Sequence, residues 1–336
     1  MTAASRARPS TAAVAAALLI VYVVWGSTYL AIAVMIETLP PLLAAGVRYG
    51  VAGLLMLGVL LAHARWRRRA QPVERPTAAH WRSAAIIGTL LLLGGNGGVV
   101  LAELRIPSGV AAVLVATVPI WMVLFDAILT RRPPTLLVTG GLVAGGVGVA
   151  VLLVPVEGLA QLDPVGVALV LGGNICWAAG SLYARRAPLP RSGLLGTSME
   201  MMAGGVALLA GGLLLGEAGR ANVATFSVES LLAVAYLIVF GSIVAFTAYI
   251  WLLNHVSVST VSTHAYVNPI VAVALGAVFL SEPVTPRTIL ATILIVGAVI
   301  AMVSGSPRVV EEPASELEAS RQPEHAGTDR AAQEPS

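Results

Sequence analysis

The chain has 336 residues, 57% of them hydrophobic and 11% charged, with a formal net charge of +3 and a mean hydropathy of +0.87. This balance excludes a soluble globular domain, in which about a quarter of the residues are charged. It also gives no nucleic-acid signal, because the twenty basic residues, all arginine, follow a topological pattern set out below.

One crossing of a hydrocarbon core about 30 Å thick takes roughly 20 apolar residues. Ten such segments follow in chain order: 13–36, 41–62, 83–102, 109–129, 136–154, 164–184, 194–215, 230–252, 257–280 and 286–304. They are too long and too continuously apolar for the alternating strands of about ten residues that build a β-barrel. The expected fold class is therefore all-α and integral to a membrane. Residues 1–12 form a short leading tail. The first span is expected to be retained, because its apolar run exceeds the roughly 7–15 residues of a signal-peptide core.

The first span carries Trp25, Ser27, Thr28 and Tyr29. Interfacial tryptophans sit at span ends, so a mid-span Trp25 reads as a cavity wall. The second span follows Pro40-Pro41 and holds Arg48, about eight residues deep, or roughly 12 Å. A charge at such depth costs about 2.5–3.5 kcal/mol on insertion scales and faces a cavity or a partner. A guanidinium binds a carboxylate through two parallel hydrogen bonds. Arg48 thus reads either as the contact for an anionic or zwitterionic substrate or as a structural clamp between helices. The third span contributes Asn96, and the fourth a mid-span Pro119.

The sixth span carries Asn174, Cys176 and Trp177; the amides read as helix glue or ligand, and the lone cysteine as a small buried side chain. The seventh holds Glu200. Burial would suit that carboxyl to carry a coupling proton, whereas a nearby arginine would make it half of a static pair. In the ninth span His264 and Asn268 are four residues apart and share a helix face, with Tyr266 between them. Asn268 precedes Pro269, whose missing N–H frees a carbonyl within the helix. A polar stripe beside a broken ladder is expected to line a cavity. Residues 305–336 are acidic, proline-bearing and poor in large apolar residues, a composition that favours disorder.

The chain repeats its own spacing. Trp25 to Arg48 and Trp177 to Glu200 are both 23 residues; Pro119 to Pro133 and Pro269 to Pro283 are both 14. The two sets are offset by 177 − 25 = 152 and 269 − 119 = 150. Each copy, 13–154 and 164–304, holds five spans, and an odd number forces the second copy to enter from the opposite face. Arginines mark the cytoplasmic side. They cluster before the first span and after the second, fourth and sixth, while the alternate loops carry Glu37, Glu103, Glu157, Asp163, Glu217, Glu229 and Glu282. Arg132 and Glu282 share one repeat position with opposite charge. The expectation is two inverted five-helix repeats with both termini cytoplasmic. Inverted repeats are the architecture of alternating-access transporters, with Pro119 and Pro269 as candidate hinges.

The run Trp25-Gly26-Ser27-Thr28-Tyr29-Leu30-Ala31-Ile32 resembles the first-helix motif of the EamA-type transporters of the drug/metabolite transporter superfamily. So do Arg48 in a small-residue second span, Asn268-Pro269, and Leu280-Ser281-Glu282-Pro283. The resemblance covers about 13–304. It implies ten helices in two inverted repeats, a central cavity, and efflux of small metabolites across the bacterial plasma (inner) membrane. The first copy departs from it, with Arg131-Arg132 where the family often carries an acid.

The function expected is therefore secondary export of small metabolites (amino acids or derivatives) or drugs. The alternative is a lipid-linked substrate flippase or a membrane-embedded enzyme. Candidate substrate contacts are Trp25, Tyr29, Arg48, Asn96, Trp177, His264, Tyr266 and Asn268, with Glu200 for the proton. The acids are isolated, and neither a Gly-x-x-x-x-Gly-Lys phosphate loop nor His-Glu-x-x-His occurs. No catalytic residue, cofactor or metal is therefore assigned. The partners expected are a small-molecule substrate and the lipid bilayer, with no nucleic acid; a homodimer is left open.

Overall fold

The computed structural model describes residues 10–66, 74–131, 133, 135–153, 162–253, 255–256, 260–261 and 263–305. All regular structure among them is helical. The helices are α1 (Thr11–Ile36), α2 (Pro41–Trp66), α3 (Ala78–Ala102), α4 (Ser108–Val115), α5 (Val118–Thr130), α6 (Leu136–Leu153), α7 (Pro164–Ala184), α8 (Gly193–Leu214), α9 (Val228–Leu253), α10 (His264–Phe279) and α11 (Pro286–Gly305). Eight stretches, α4 and α5 counted as one, are long and apolar enough to cross a membrane; His264–Phe279 and Pro286–Ala301 are shorter apolar helices. The chain is an integral membrane protein by that measure. The acidic tail after Gly305 lies outside the described residues.

Local chemistry sets the helix starts. Ser10, Thr77, Asp163, Ser192 and Ser227 each accept a hydrogen bond from a first-turn N–H, satisfying donors that a helix cannot satisfy itself. Proline opens α2, α7 and α11, where its missing N–H costs nothing. Two features escape hydropathy. Thr89–Asn96 within α3 and Leu237–Val244 within α9 are wound as π-helix, a form that is rare and concentrates at functional sites.

Small residues set the packing. α2 lies along α8 and α6 along α11. At Gly205 a Cβ would approach Gly50 N to 2.7 Å, so only glycine lets those two backbones meet. α1 packs on α9 and α10, while α7 packs on α3, α4 and α5.

The fourth span is split. α4 and α5 are separated at Ala116-Thr117, with Pro119 in the first turn of α5. Every residue from Ser108 to Leu114 is buried, and no residue of α5 is. The ninth span, expected over 257–280, has its long helix only from His264. Its expected start at 257–259 lies outside the described residues.

One end of the bundle collects the acidic loops. There the Glu217 carboxylate accepts from Leu42 N (3.1 Å) and Leu43 N (2.9 Å), at the start of α2. Glu282 accepts from Ser108 N (2.7 Å) and Gly109 N (3.0 Å), at the start of α4. Both carboxylates complement a helix N-terminus. Arg105 and Asp163 form an exposed ion pair at 2.8 Å. That arginine, helped by the Val165 N–H, holds the Asp163 carboxyl below the usual carboxylate range.

Candidate functional site

The site is built around Arg48, in the first third of α2 and 3% exposed. Its Nε donates to Ser242 Oγ at 3.1 Å. Its guanidinium carbon lies 4.5 Å from the centre of the Tyr49 ring. Its Nη1 is buried and makes no hydrogen bond. The single ion pair among the described residues is Arg105–Asp163, so no carboxylate neutralises Arg48. A buried cation with an idle donor is costly unless something completes its shell.

The π segment of α9 shapes this shell. A Cβ at Gly241 would come within 3.3 Å of Arg48 Nη2 and 3.1 Å of Thr28 Cγ2. The Gly241 carbonyl accepts from Trp25 Nε1 at 3.3 Å. Winding as π-helix shifts carbonyl pairing from i−4 to i−5 and can leave such an acceptor for a side chain. Arg48, Ser242, Gly241 and Trp25 therefore meet at one level of α1, α2 and α9.

Trp25 stands in an aromatic cluster, with ring centres 5.2 Å from Phe246, 5.1 Å from Tyr249 and 5.1 Å from His264. His264 Nδ1 bonds the Val261 carbonyl at 2.8 Å. A carbonyl only accepts, so Nδ1 carries the hydrogen and Nε2 is the acceptor. Ser27 Oγ and Tyr236 Oη share a 2.6 Å hydrogen bond, and Tyr236 stacks on Phe240. The result is an aromatic wall with hydroxyls beside a buried guanidinium. Such a surface can take an apolar or aromatic body and an anionic head.

The structure brings together Trp25, Arg48 and His264 from the sequence candidates. It does not bring all of them. Tyr29 is half-buried on α1, in the neighbourhood of Glu103 and Tyr49. Asn268, with its amide oriented to suit its surroundings, donates to the His264 and Tyr22 carbonyls at 3.1 and 3.2 Å, tying α10 to α1. Tyr266 is half-buried in the same turn. Trp177 packs on Gly95 and Cys176 on Gly94, in the π segment of α3 that Asn96 closes. Asn174 donates to Leu114 O (2.8 Å) and Thr117 Oγ1 (3.0 Å), at the break between α4 and α5. Glu200 is half-buried midway along α8, and its backbone carbonyl abuts Gly88 of α3.

Sequence reasoning missed Gly241, Ser242, Tyr236, Phe246 and Tyr249. The signal available was Gly241-Ser242, a small polar pair inside an otherwise apolar run. An α-helical period does not align that pair with Arg48, because the π winding resets the register.

Comparison with known proteins agrees with this architecture. The EamA-like transporter family matches twice, over residues 12–154 and 164–304. An uncharacterized inner membrane transporter of Escherichia coli K12, YedA, is 40% identical over 293 residues, 86% of this chain and 90% of its own. The uncharacterized transporter YvbV of Bacillus subtilis is 25% identical across 84% of this chain and 90% of its own. Protein PecM of Dickeya dadantii is 26% identical across 82% and 88%. A crystal structure at 19% identity has a TM-score of 0.57 over 87% of this chain and 96% of its own, a likeness of fold. The chain belongs to the EamA-like transporter family.

Proposed function

We propose that this EamA-family membrane protein is a secondary exporter of small carboxylate-bearing metabolites, such as amino acids or their derivatives, or of amphipathic drugs, working by alternating access. The observation that carries the reading is Arg48 Nη1, buried and without a partner beside an aromatic wall. A substrate carboxylate would accept from it, and the rings of Trp25, Phe246 and Tyr249 would face the rest of the molecule.

Ten spans in two inverted repeats, 13–154 and 164–304, fit the family's double match. The two π segments lie 237 − 89 = 148 residues apart, close to the repeat offset. Tyr22 and Asn174 lie 174 − 22 = 152 apart. Tyr22 touches α10 beside Thr263, and Asn174 touches the α4–α5 break. Pro119 and Pro269 are the proposed hinges, the fourth span flexing at Ala116-Thr117. The arginine distribution puts both termini in the cytoplasm and the acidic loops outside, in a bacterial inner membrane. Glu200, half-buried on α8, is the proposed carrier of a coupling proton.

The test is ligand-induced thermal stabilisation in detergent. Aromatic amino acids are expected to stabilise the wild type, and the matching amines without a carboxylate to do so at least about tenfold less potently, a loss near 1.4 kcal/mol. Arg48→Gln should lose the preference for the carboxylate. Equal responses to acid and amine, or a preference that survives Arg48→Gln, would return Arg48 to a structural role.

A further inference from the structure

At the acidic end, three buried oxygens have no hydrogen-bond partner: Glu103 Oε1 and Oε2, and Ser108 Oγ. Glu103 ends α3, and Ser108 begins α4 five residues later. Glu282 stands between them and α10. Its carboxylate bonds Ser108 N and Gly109 N, and a Cβ on Gly276 would collide with its Oε2. Two carboxyl groups thus flank the start of α4, one held by its backbone donors and one, at the end of α3, without a hydrogen-bond partner. A cleft lined by Pro107, Gly109, Val110, Val273, Glu282 and Thr288 opens beside Glu282.

We propose that Glu103 and Glu282 form a proton-binding site that latches this end of the fourth span shut, taking up one proton from the outside whenever it closes. The inference rests on the alternating-access reading and on the acidic loops facing outward. The division of labour follows from the partners. Glu282 accepts two N–H donors and sits on a helix N-terminus, so the backbone meets its charge. Glu103 has no donor to stabilise a negative charge, so its carboxyl is the protonated one. Burial first, and then the charge of Glu282, push the Glu103 carboxyl well above the usual carboxylate range.

The other titratable neighbours do not offset this. Tyr29 neighbours Glu103 from α1 and Tyr49 lies on α2; both are phenols. Arg105 is engaged with Asp163 at the surface. Arg287, in the first turn of α11, has interactions of its own. Monovalent metal binding is disfavoured because the Glu282 oxygens are already committed to the backbone.

The sign is fixed. A carboxyl that ionises less readily when the latch is closed than when it is open binds more protons in the closed form. Closure is therefore fully favoured below the open-state carboxylate range and is lost as external pH rises through the raised closed-state value. Acid outside holds the outer half shut; alkali releases it.

The experiment reads the latch without transport. In a Cys176→Ala background, Val113→Cys places a thiol in the buried part of α4, away from the cleft, and Ala224→Cys gives an always-exposed reference. Cells are treated with a membrane-impermeant maleimide across external pH, and Val113→Cys labelling is normalised to the reference. Normalised labelling is expected to rise with pH, the open-to-closed ratio changing about tenfold per unit inside the titrating window. Glu103→Gln should stay poorly labelled at every pH, and Glu103→Asp should keep a titration. Glu282→Gln should be labelled even in acid. A flat wild-type profile overturns the proposal, as does a profile unchanged by Glu103→Gln or one that follows sodium at constant pH. If the titration holds but no substrate moves in proteoliposomes, the latch stands and the transporter reading fails.

Discussion

The fourth span contains its own comparison. Its first half, α4, is buried from Ser108 to Leu114; its second half, α5, has no buried residue. Both halves are equally apolar, so hydropathy does not separate them. What differs is company. The α4 half begins on a carboxylate from beyond α10 and packs between α1, α7 and α10. The α5 half leans chiefly on α7 and is otherwise open. The fourth span is thus tight at its Glu282 end and loose at the other.

The comparison breaks first under core truncation. Leu114 is fully buried in α4, and Leu129 of α5 is 61% exposed. Leu114→Ala should cost about 2–5 kcal/mol through the cavity it leaves. Leu129→Ala should stay within about 0.5 kcal/mol, as surface substitutions do. Unfolding by graded denaturing detergent compares the two; equal costs would mean that both halves are packed alike.

The next effect comes from the caps. Glu217→Ala removes the acceptor for Leu42 N and Leu43 N and should cost about 1.5–3 kcal/mol, the usual range for a hydrogen bond to a charged group. Asp126, exposed on α5, should tolerate Asp126→Ala without a measurable shift. A silent Glu217→Ala would show that the acidic end is held by packing alone.

Smaller again is the seam itself. Asn174→Leu would remove the donor that α7 offers to Leu114 O and Thr117 Oγ1, leaving Leu114 O to the hydroxyl and N–H of Thr117, and should cost about 0.5–1.5 kcal/mol, the net worth of an ordinary hydrogen bond. Straightening the span would let the backbone recover the bond and shrink the loss. Hydrogen exchange at Val118 and its neighbours separates the two outcomes.

How much of this was legible in the sequence follows from what kind of physics made it. Span positions and helix starts were, because apolar length and capping chemistry act locally: the sixth span, expected at 164–184, is α7 at the same bounds. Asn174 as helix glue and the depth of Arg48 were also legible. The π segments were not, since Thr89–Asn96 and Leu237–Val244 are as apolar as any helix and owe their winding to neighbours. Nor was the partner of Arg48. Ser242 lies 194 residues away, and no period links a residue on α2 to a reset register on α9. Glu103 and Glu282 read as loop charges that set topology. Their place at the start of α4 depends on how distant segments pack there, with Glu282 174 residues from Ser108, which one-dimensional spacing does not encode.

The finest prediction concerns Ser242, because it separates holding Arg48 from using it. Ser242→Ala removes the only hydrogen-bond acceptor that Arg48 has among the described residues. The apo protein should lose about 1 kcal/mol, the net worth of an ordinary hydrogen bond. If Arg48 were structural, that loss is the whole effect, and ligand-induced stabilisation would be unchanged. If Arg48 binds the substrate carboxylate, its fork must be aimed as well as present. Then Ser242→Ala should also weaken carboxylate ligands by several-fold while leaving the weak response to the matching amines where it was. Ser242→Thr, which keeps the hydroxyl, should restore most of the affinity. A loss of stability with no change in the acid-to-amine preference would place Arg48 with the scaffold at the tight acidic end, and not with the cargo.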